Sequence, residues 1–396
     1  MPQIAPFVPH IPDSTLADLR YRLENVRWAP EIGNMDWRYG VNGDYLKELV
    51  TYWRDEFDWR EIEREINQFD HYKVSIDGVP IHFIRQPGNG PNPIPLILSH
   101  GWPSTFWDLR HLIGPLSRPG DFGGDPNDAF DVIVPSLPGF TFSSPLTVPG
   151  MNFTRNADLW HRLMTEVLNY PRYAAQGGDW GALVTTQLGH KYAESLIGIH
   201  LTNALALDKF NGERNWDLNG SAILPADPIA RAAAIDRQRR FASHVAVHVI
   251  DPQTLSWMAH DSPVGLCAWL LERRRAWSDC GGDVERRFTK DELLVSATLY
   301  WATETFATAA RYYAEAANYP WTPSHARSPV VEAPTGISFM LADSGPGPSE
   351  QHKAYYNLIF SNEHETGGHF APAEEPQRII DDIRATFRQI RGGHVA

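Results

Sequence analysis

Cysteine is nearly missing from this 396-residue chain; only Cys267 and Cys280 occur. Two thiols make no disulfide framework, so both are expected to be reduced, as in a cytoplasmic protein. Long apolar runs are missing as well: none reaches the roughly 18 residues of a membrane span. Met1 to Pro12 lacks the charged-then-apolar order of a secretory signal, and neither secretion nor a membrane anchor is expected. Positive charge is in deficit, with 35 Lys and Arg against 48 Asp and Glu and a formal net charge of −13. That balance speaks against nucleic acid or an anionic membrane as partner. There is no metal-ligand spacing, no phosphate-binding glycine motif and no internal repeat, so neither a metal nor a cofactor is expected. What the chain does have is length and 42% hydrophobic content, enough for the large core of one catalytic domain with insertions.

The pattern divides into four stretches. Residues 1–70 read as a helical extension. Asp13 or Ser14 is placed to cap a helix with Leu16, Leu19, Leu23 and Val26 on one face, and a second helix follows Asp44 with Leu46, Leu49, Val50 and Trp53. From residue 71 a hairpin turning at Asp77-Gly78 leads into alternating strands and helices that run to 203. Residues 204–326 lose that alternation and show helical periodicity. The alternation resumes over 327–396, near Ile337, and closes in a helix through Ile380, Ile383, Phe387 and Ile390. Strand-helix alternation of this kind means an α/β fold with a mostly parallel sheet and helices on both faces.

Chemistry concentrates at Gln176-Gly177-Gly178-Asp179-Trp180-Gly181, just after an apolar segment. This is the small-X-nucleophile-X-small layout of a strand-to-helix elbow, with aspartate where serine hydrolases place serine. A serine attacking a saturated carbon leaves an ether that water does not readily cleave. A carboxylate leaves an ester, which a histidine-activated water hydrolyses at its carbonyl. An Asp nucleophile therefore suits opening of an epoxide or displacement of a halide, and suits peptide or ester cleavage poorly. The plainer alternative is that Asp179 only caps the following helix.

The expected partners follow downstream. Ile337 to Asp343 reads as a buried strand ending in a carboxylate, and Leu358-Ile359-Phe360 as a further strand before Thr366-Gly367-Gly368-His369-Phe370. His369 then sits on a glycine-rich loop beyond a strand end, suited to deprotonate a water, with Asp343 holding its tautomer. Glu350, Glu363 and Glu365 in the same stretch compete with Asp343 for that role. Upstream, Pro95 to Ser99 is a strand that breaks into His100-Gly101-Trp102-Pro103 before a helix. The Trp102 amide, with that of Trp180, is placed to form an oxyanion hole.

Taken in order, His100-Gly101-Trp102-Pro103, Pro135-Ser136-Leu137-Pro138-Gly139-Phe140, Gly177-Gly178-Asp179-Trp180-Gly181, Asp261 to Leu266, Arg311-Tyr312-Tyr313-Ala314-Glu315 and Gly367-Gly368-His369-Phe370 span most of the chain. Together with the Pro12-Asp13 opening and the Trp53, Trp59 segment, they resemble the epoxide hydrolases of the microsomal type in the α/β-hydrolase superfamily. The resemblance implies an α/β-hydrolase core (71–203 and 327–396), a helical lid at 204–326 inserted after the sixth strand, and an N-terminal extension (1–70). It implies hydrolysis of a small apolar epoxide to a vicinal diol without a cofactor. By analogy with the family, a homodimer is one assembly to expect.

Epoxide opening needs an acid, because the leaving group is an alkoxide of high pKa. Tyr313 matches the family position of a lid tyrosine that donates to the epoxide oxygen, with Tyr312 as the fallback; Tyr312, Trp107 and His244 are expected at the substrate. The chain departs from the family at the first lid tyrosine. That position, eight residues before the proline of Pro252-Gln253-Thr254-Leu255, holds His244, and no tyrosine lies between residues 201 and 299. His244, with help from His248, is a candidate hydrogen-bond donor, and a strong acid if protonated; otherwise Tyr313 acts alone and His244 lines the pocket. Two other functions fit part of the pattern: a haloalkane dehalogenase using the same Asp179 and His369, and a non-catalytic binder of a small apolar ligand.

Overall fold

The computed structural model describes residues 3–217 and 226–392. A short strand β1 (Ala5–Phe7) lies antiparallel to β2 (His71–Ile76). Asp77 and Gly78 both take positive φ, 51° and 75°, as a two-residue type I′ turn requires. They join β2 to β3 (Val79–Gln86) in an antiparallel ladder from Ile76↔Val79 to His71↔Ile84. The remaining strands are β4 (Ile94–Ser99), β5 (Phe130–Pro135), β6 (Tyr173–Gly177), β7 (Leu196–Leu201), β8 (Val331–Met340) and β9 (Tyr356–His364). Across the sheet the order is β1-β2-β3-β5-β4-β6-β7-β8-β9. All neighbouring pairs from β5 to β9 are parallel, which is why β4, β5 and β6 are almost wholly buried and read as continuous apolar runs.

Helices α1 (Asp13–Glu24), α2 (Gly43–Asp55) and α3 (Trp59–Ile66) form the N-terminal arm. The expected Asp13 or Ser14 cap is absent: Pro12 takes the cap position, and the Asp13 carboxylate is held by the Arg60 guanidinium instead. Asn42 caps α2, accepting from the Tyr45 N–H at 3.0 Å, and Asp58 caps α3, a helix the periodicity did not predict. The arm is not separate from the sheet, since β1 lies within residues 1–70 and pairs with β2 beyond them.

Within the core, α4 (Arg110–Ser117), α5 (Phe153–Arg162) and α6 (Trp180–Lys191) link the middle strands. In α6 every residue from Trp180 to His190 is buried, so it shows no amphipathic face. Between β7 and β8 the described residues contain helices and no strand. These are α7 (Pro228–Ile250), α8 (Pro252–Asp261), α9 (Pro263–Trp277), α10 (Lys290–Ala302) and α11 (Phe306–Asn318). The arm docks on this insertion: the Trp53 indole N–H donates to Thr298 Oγ1 at 3.1 Å, and Tyr52 Oη to Asp291 at 2.9 Å. After β8 come α12 (Glu350–Tyr355), β9, the short α13 (Ala371–Glu374) and α14 (Pro376–Arg391).

Candidate active site

The C-terminal ends of the parallel strands carry the site. β6 ends at Gly177, and Asp179 turns the chain into α6 with φ 54° and ψ −123°. A side chain in that region is strained, a conformation that recurs where a group must be held at a sharp turn. Asp179 makes no side-chain cap bond to α6. Its Oδ1 accepts instead from the Trp102 backbone N–H at 2.7 Å, so the carboxylate faces the loop after β4 rather than its own helix. Glycine is required where these pieces meet: a Cβ on Gly101 would fall on the Asp179 carboxylate, and one on Gly181 on the Ser99 carbonyl.

His100 fixes the loop that carries Trp102. Its Nδ1 lies 2.9 Å from the Gly101 carbonyl and its Nε2 accepts from the Leu137 N–H at 3.0 Å, which places the proton on Nδ1. Burial pushes this imidazole down to about 4, so it stays neutral and holds both contacts. Trp180 is the first residue of α6, and its N–H is among those a helix leaves without an intrahelical carbonyl.

Asp343 and His369 arrive from beyond β8 and β9. His369 Nδ1 is 3.1 Å from Asp343 Oδ1, and its Nε2 is 3.5 Å from Asp179 Oδ2. Thus the imidazole spans two carboxylates that lie far apart in the chain. Burial alone would lower the His369 pKa; the charge of Asp343, then the proximity of Asp179, outweigh it and raise it to about 10. The competing Glu363 accepts from the Gly347 N–H and Glu350 pairs with Lys353, while the carboxylates within ion-pair distance of His369 among the described residues are Asp343 and Asp179. Beside Asp179 and His369 lies a cavity of about 30 Å³, bordered also by Ser99, Gly101, Thr202 and Phe370. It is large enough for a water.

Two residues that complete this arrangement were not singled out from the sequence. Asn203 Oδ1 accepts the Asp179 N–H at 2.9 Å while its Nδ2 donates to Asp343 Oδ2, tying nucleophile backbone to acid. Glu374 accepts from the Gly368 and Phe370 N–H groups, each at 3.0 Å, and from Asp279 N–H at 2.8 Å, clamping the loop on either side of His369.

On the insertion side, Tyr313 is buried with its ring perpendicular to those of Trp180 (centroids 4.6 Å apart) and Trp102 (6.0 Å). Burial, and then the Asp179 charge, hold its phenol well above the usual range, so it stays protonated. His244 Nε2 lies 3.1 Å from Tyr313 Oη. The expected role of His244 as a cationic acid is not supported: burial, then the neighbouring His248, Arg273 and His369, hold it well below its usual pKa. His248 accepts the Trp269 indole N–H at Nε2 (3.1 Å), and burial pushes it down to about 3. Tyr312, the fallback acid, points its hydroxyl away from Asp179 and donates it to Asn156 Oδ1 at 3.0 Å. Trp107 is not brought to the site either. It packs between Phe69 and Phe106 beneath the Arg110 guanidinium, drawn into the apolar layer on the other side of the loop.

The comparisons with known proteins agree with this geometry. A family model described as epoxide hydrolase N terminus matches residues 4–109, and one for the alpha/beta hydrolase fold matches residues 94–262. Epoxide hydrolase 1 of Sus scrofa is 32% identical over 96% of this chain and 88% of its own length. This chain belongs to the epoxide hydrolase family. A protein of Stigmatella aurantiaca (strain DW4/3-1), named for the same activity, is 37% identical over 98% of this epoxide hydrolase and 86% of its own length. Among solved structures, the juvenile hormone epoxide hydrolase of the silkworm Bombyx mori superposes with a TM-score of 0.81 at 26% identity, covering 99% of this chain and 95% of that one. The epoxide hydrolase thus has the α/β-hydrolase fold and hydrolyses an epoxide with water. No helix among its described residues is long and apolar enough to cross a membrane.

Proposed function

We propose that this epoxide hydrolase turns over through a covalent ester on Asp179, with residues 204–326 acting as the lid that supplies the acid. Asp179 Oδ2 attacks an epoxide carbon. The C–O bond breaks toward the ring oxygen, which takes the Tyr313 proton, leaving a hydroxyalkyl ester. Oδ1 is then the ester carbonyl, already on the Trp102 N–H, with the Trp180 N–H as its second donor. Water adds to the carbonyl carbon; one of its protons passes through His369 to the leaving alkoxide. The other, freed when the Asp179 carboxylate re-forms, restores Tyr313 and closes the cycle with a vicinal diol.

The observation that carries this reading is the division of labour between the two Asp179 oxygens: one sits on the Trp102 amide, the other 3.5 Å from His369 Nε2. The same geometry accounts for the timing of the base. In the resting site two carboxylates favour the imidazolium. Esterification removes the Asp179 charge, so His369 loses one of its two supports, releases its second proton to solvent water and can then accept one from the attacking water; it regains a proton from solvent once the Asp179 carboxylate re-forms. The rings around Tyr313 and His369 (Trp102, Trp180, Phe210, Trp277) favour a small apolar substrate.

His369→Gln tests the scheme directly. Incubated with styrene oxide, this variant should gain the whole mass of the epoxide on the Asp179 peptide and hold it, since the ester forms but is not hydrolysed. An unmodified Asp179 peptide after prolonged incubation would reject the nucleophile. A matched incubation with a bromoalkane reads dehalogenation: transfer of the alkyl group alone would move the chemistry there.

A further inference from the structure

His244 stands on α7 at the position matched to the first lid tyrosine of the family, and three observations define what it does there. Its Nε2 is 3.1 Å from Tyr313 Oη, at hydrogen-bond distance. Its ring is stacked on that of Trp102 (centroids 5.0 Å, 13° between planes) and perpendicular to that of Tyr313 (5.2 Å, 89°), so packing fixes the edge it presents. Its Nδ1 is buried and makes no hydrogen bond. The neutral ring carries one proton, which leaves two arrangements. With the proton on Nδ1, Nε2 would accept from the Tyr313 hydroxyl and draw the acid's proton away from the substrate. The Phe241 carbonyl, one helical turn back, acts on the ring as a weak hydrogen-bond acceptor that raises its pKa, short of a full hydrogen bond to Nδ1. With the proton on Nε2 the hydrogen bond to Tyr313 is made and the phenolic O–H is left free for a substrate oxygen, so this is the arrangement in which an epoxide finds a donor. His248 shows the opposite choice for a visible reason: the Trp269 indole can only donate, so His248 Nε2 must accept.

We infer that His244 is a positioning residue that acts through Tyr313: its Nε2–H donates to the phenolic oxygen, points the Tyr313 proton at the epoxide, and holds the negative charge that oxygen gains as the ring opens. The two-tyrosine arrangement, in which both hydroxyls meet the epoxide oxygen, is replaced by a single acid backed by an imidazole. The bond balance is that of the alkylation step above; His244 gives up no proton and donates a hydrogen bond before and after. This rests on Tyr313 being the ring-opening acid, and the experiment separates the two.

In the His369→Gln background the rate of styrene oxide addition, followed by intact mass, isolates alkylation. H244F should slow it about tenfold or more, the rate equivalent of losing one hydrogen bond in the transition state. H244Q, whose amide donates from a similar position, should recover most of that loss. Y313F should slow it more, and H244F placed on Y313F should add nothing further, because a residue that works through another has no effect once that one is gone. If the H244F loss persists at full size in Y313F, or if H244F alkylates at the parent rate, the inference fails while the Tyr313 assignment stands. If Y313F itself alkylates at the parent rate, the acid assignment fails first and this inference with it. Should H244F fold poorly by thermal melt, H244L carries the same comparison.

Discussion

At the scale of single residues, what could be read from the sequence was what the backbone forces locally. Asp179 stands between glycines because the elbow has no room for a Cβ, and His369 follows two glycines that let its loop close on Trp277 and Glu374. Composition and order are enough to find such positions. Asn203 left no comparable trace. A Thr-Asn pair after a strand is an ordinary loop signal, and the contacts that give Asn203 its role reach 24 residues back to Asp179 and 140 residues forward to Asp343. The same holds for Tyr312 and Trp107, whose residue types fitted a binding site while their neighbours Asn156 and Phe69 drew them into packing. For Asn203 the expectation is specific. Asn203→Ala should fold but lower kcat roughly 10- to 100-fold, the effect of misplacing a catalytic group by about an ångström. The loss should fall on ester hydrolysis, seen as accumulation of the alkylated protein in rapid-quench mass spectra. A variant with full kcat and no accumulating ester would mean that Asn203 only fills space.

At the scale of elements, periodicity found α2 and α14, and the hairpin followed from Asp77-Gly78. It placed β8 late, near Ile337, although the strand begins at Val331. Pro334 explains the difference: a proline argues against a central strand, and this one sits where the register to β9 shifts between Val331 and Thr335. How the arm meets the insertion was not legible at all, because nothing in either segment names its partner. That contact has a chain of consequences. Trp53 bonds to Thr298 on α10, and two residues further along α10 Tyr300 Oη donates to the Ser104 carbonyl at 2.9 Å, in the loop that carries Trp102. Thr298→Val should strand the buried Trp53 N–H and cost about 1–3 kcal/mol. In urea titrations it should appear as a lower midpoint with an unchanged slope. An unshifted midpoint would show that the arm is held by packing alone.

At the scale of the whole molecule, the order of motifs specified the fold, since nucleophile, acid and base follow one another as the strands of this sheet do. The charge state of the assembled site was not readable from the sequence, because it exists only once Asp179 and Asp343 converge on one imidazole. That convergence makes stability depend on pH in a definite direction. His369 titrates at about 10 in the folded protein and near 6.5 when unfolded. Below about pH 6.5 both states are protonated and the ion-pair stabilisation is fully present. Above it the unfolded chain releases its proton first, the folded state holds more protons than the unfolded, and stability falls as pH climbs toward 10. His369→Gln has no such proton. The difference in unfolding free energy between parent and variant should therefore shrink by a few kcal/mol between pH 6.5 and 10, at up to about 1.4 kcal/mol per pH unit. Urea unfolding at four or five pH values measures it. Asp179→Asn adds the decisive arm: with one carboxylate neutralised, as in the ester intermediate, the decline should still begin near pH 6.5 but end at a lower pH and be smaller in total. If the parent and His369→Gln curves stay parallel throughout, the imidazolium is not the resting state. The change of His369 from charged partner to base on esterification would then need another cause.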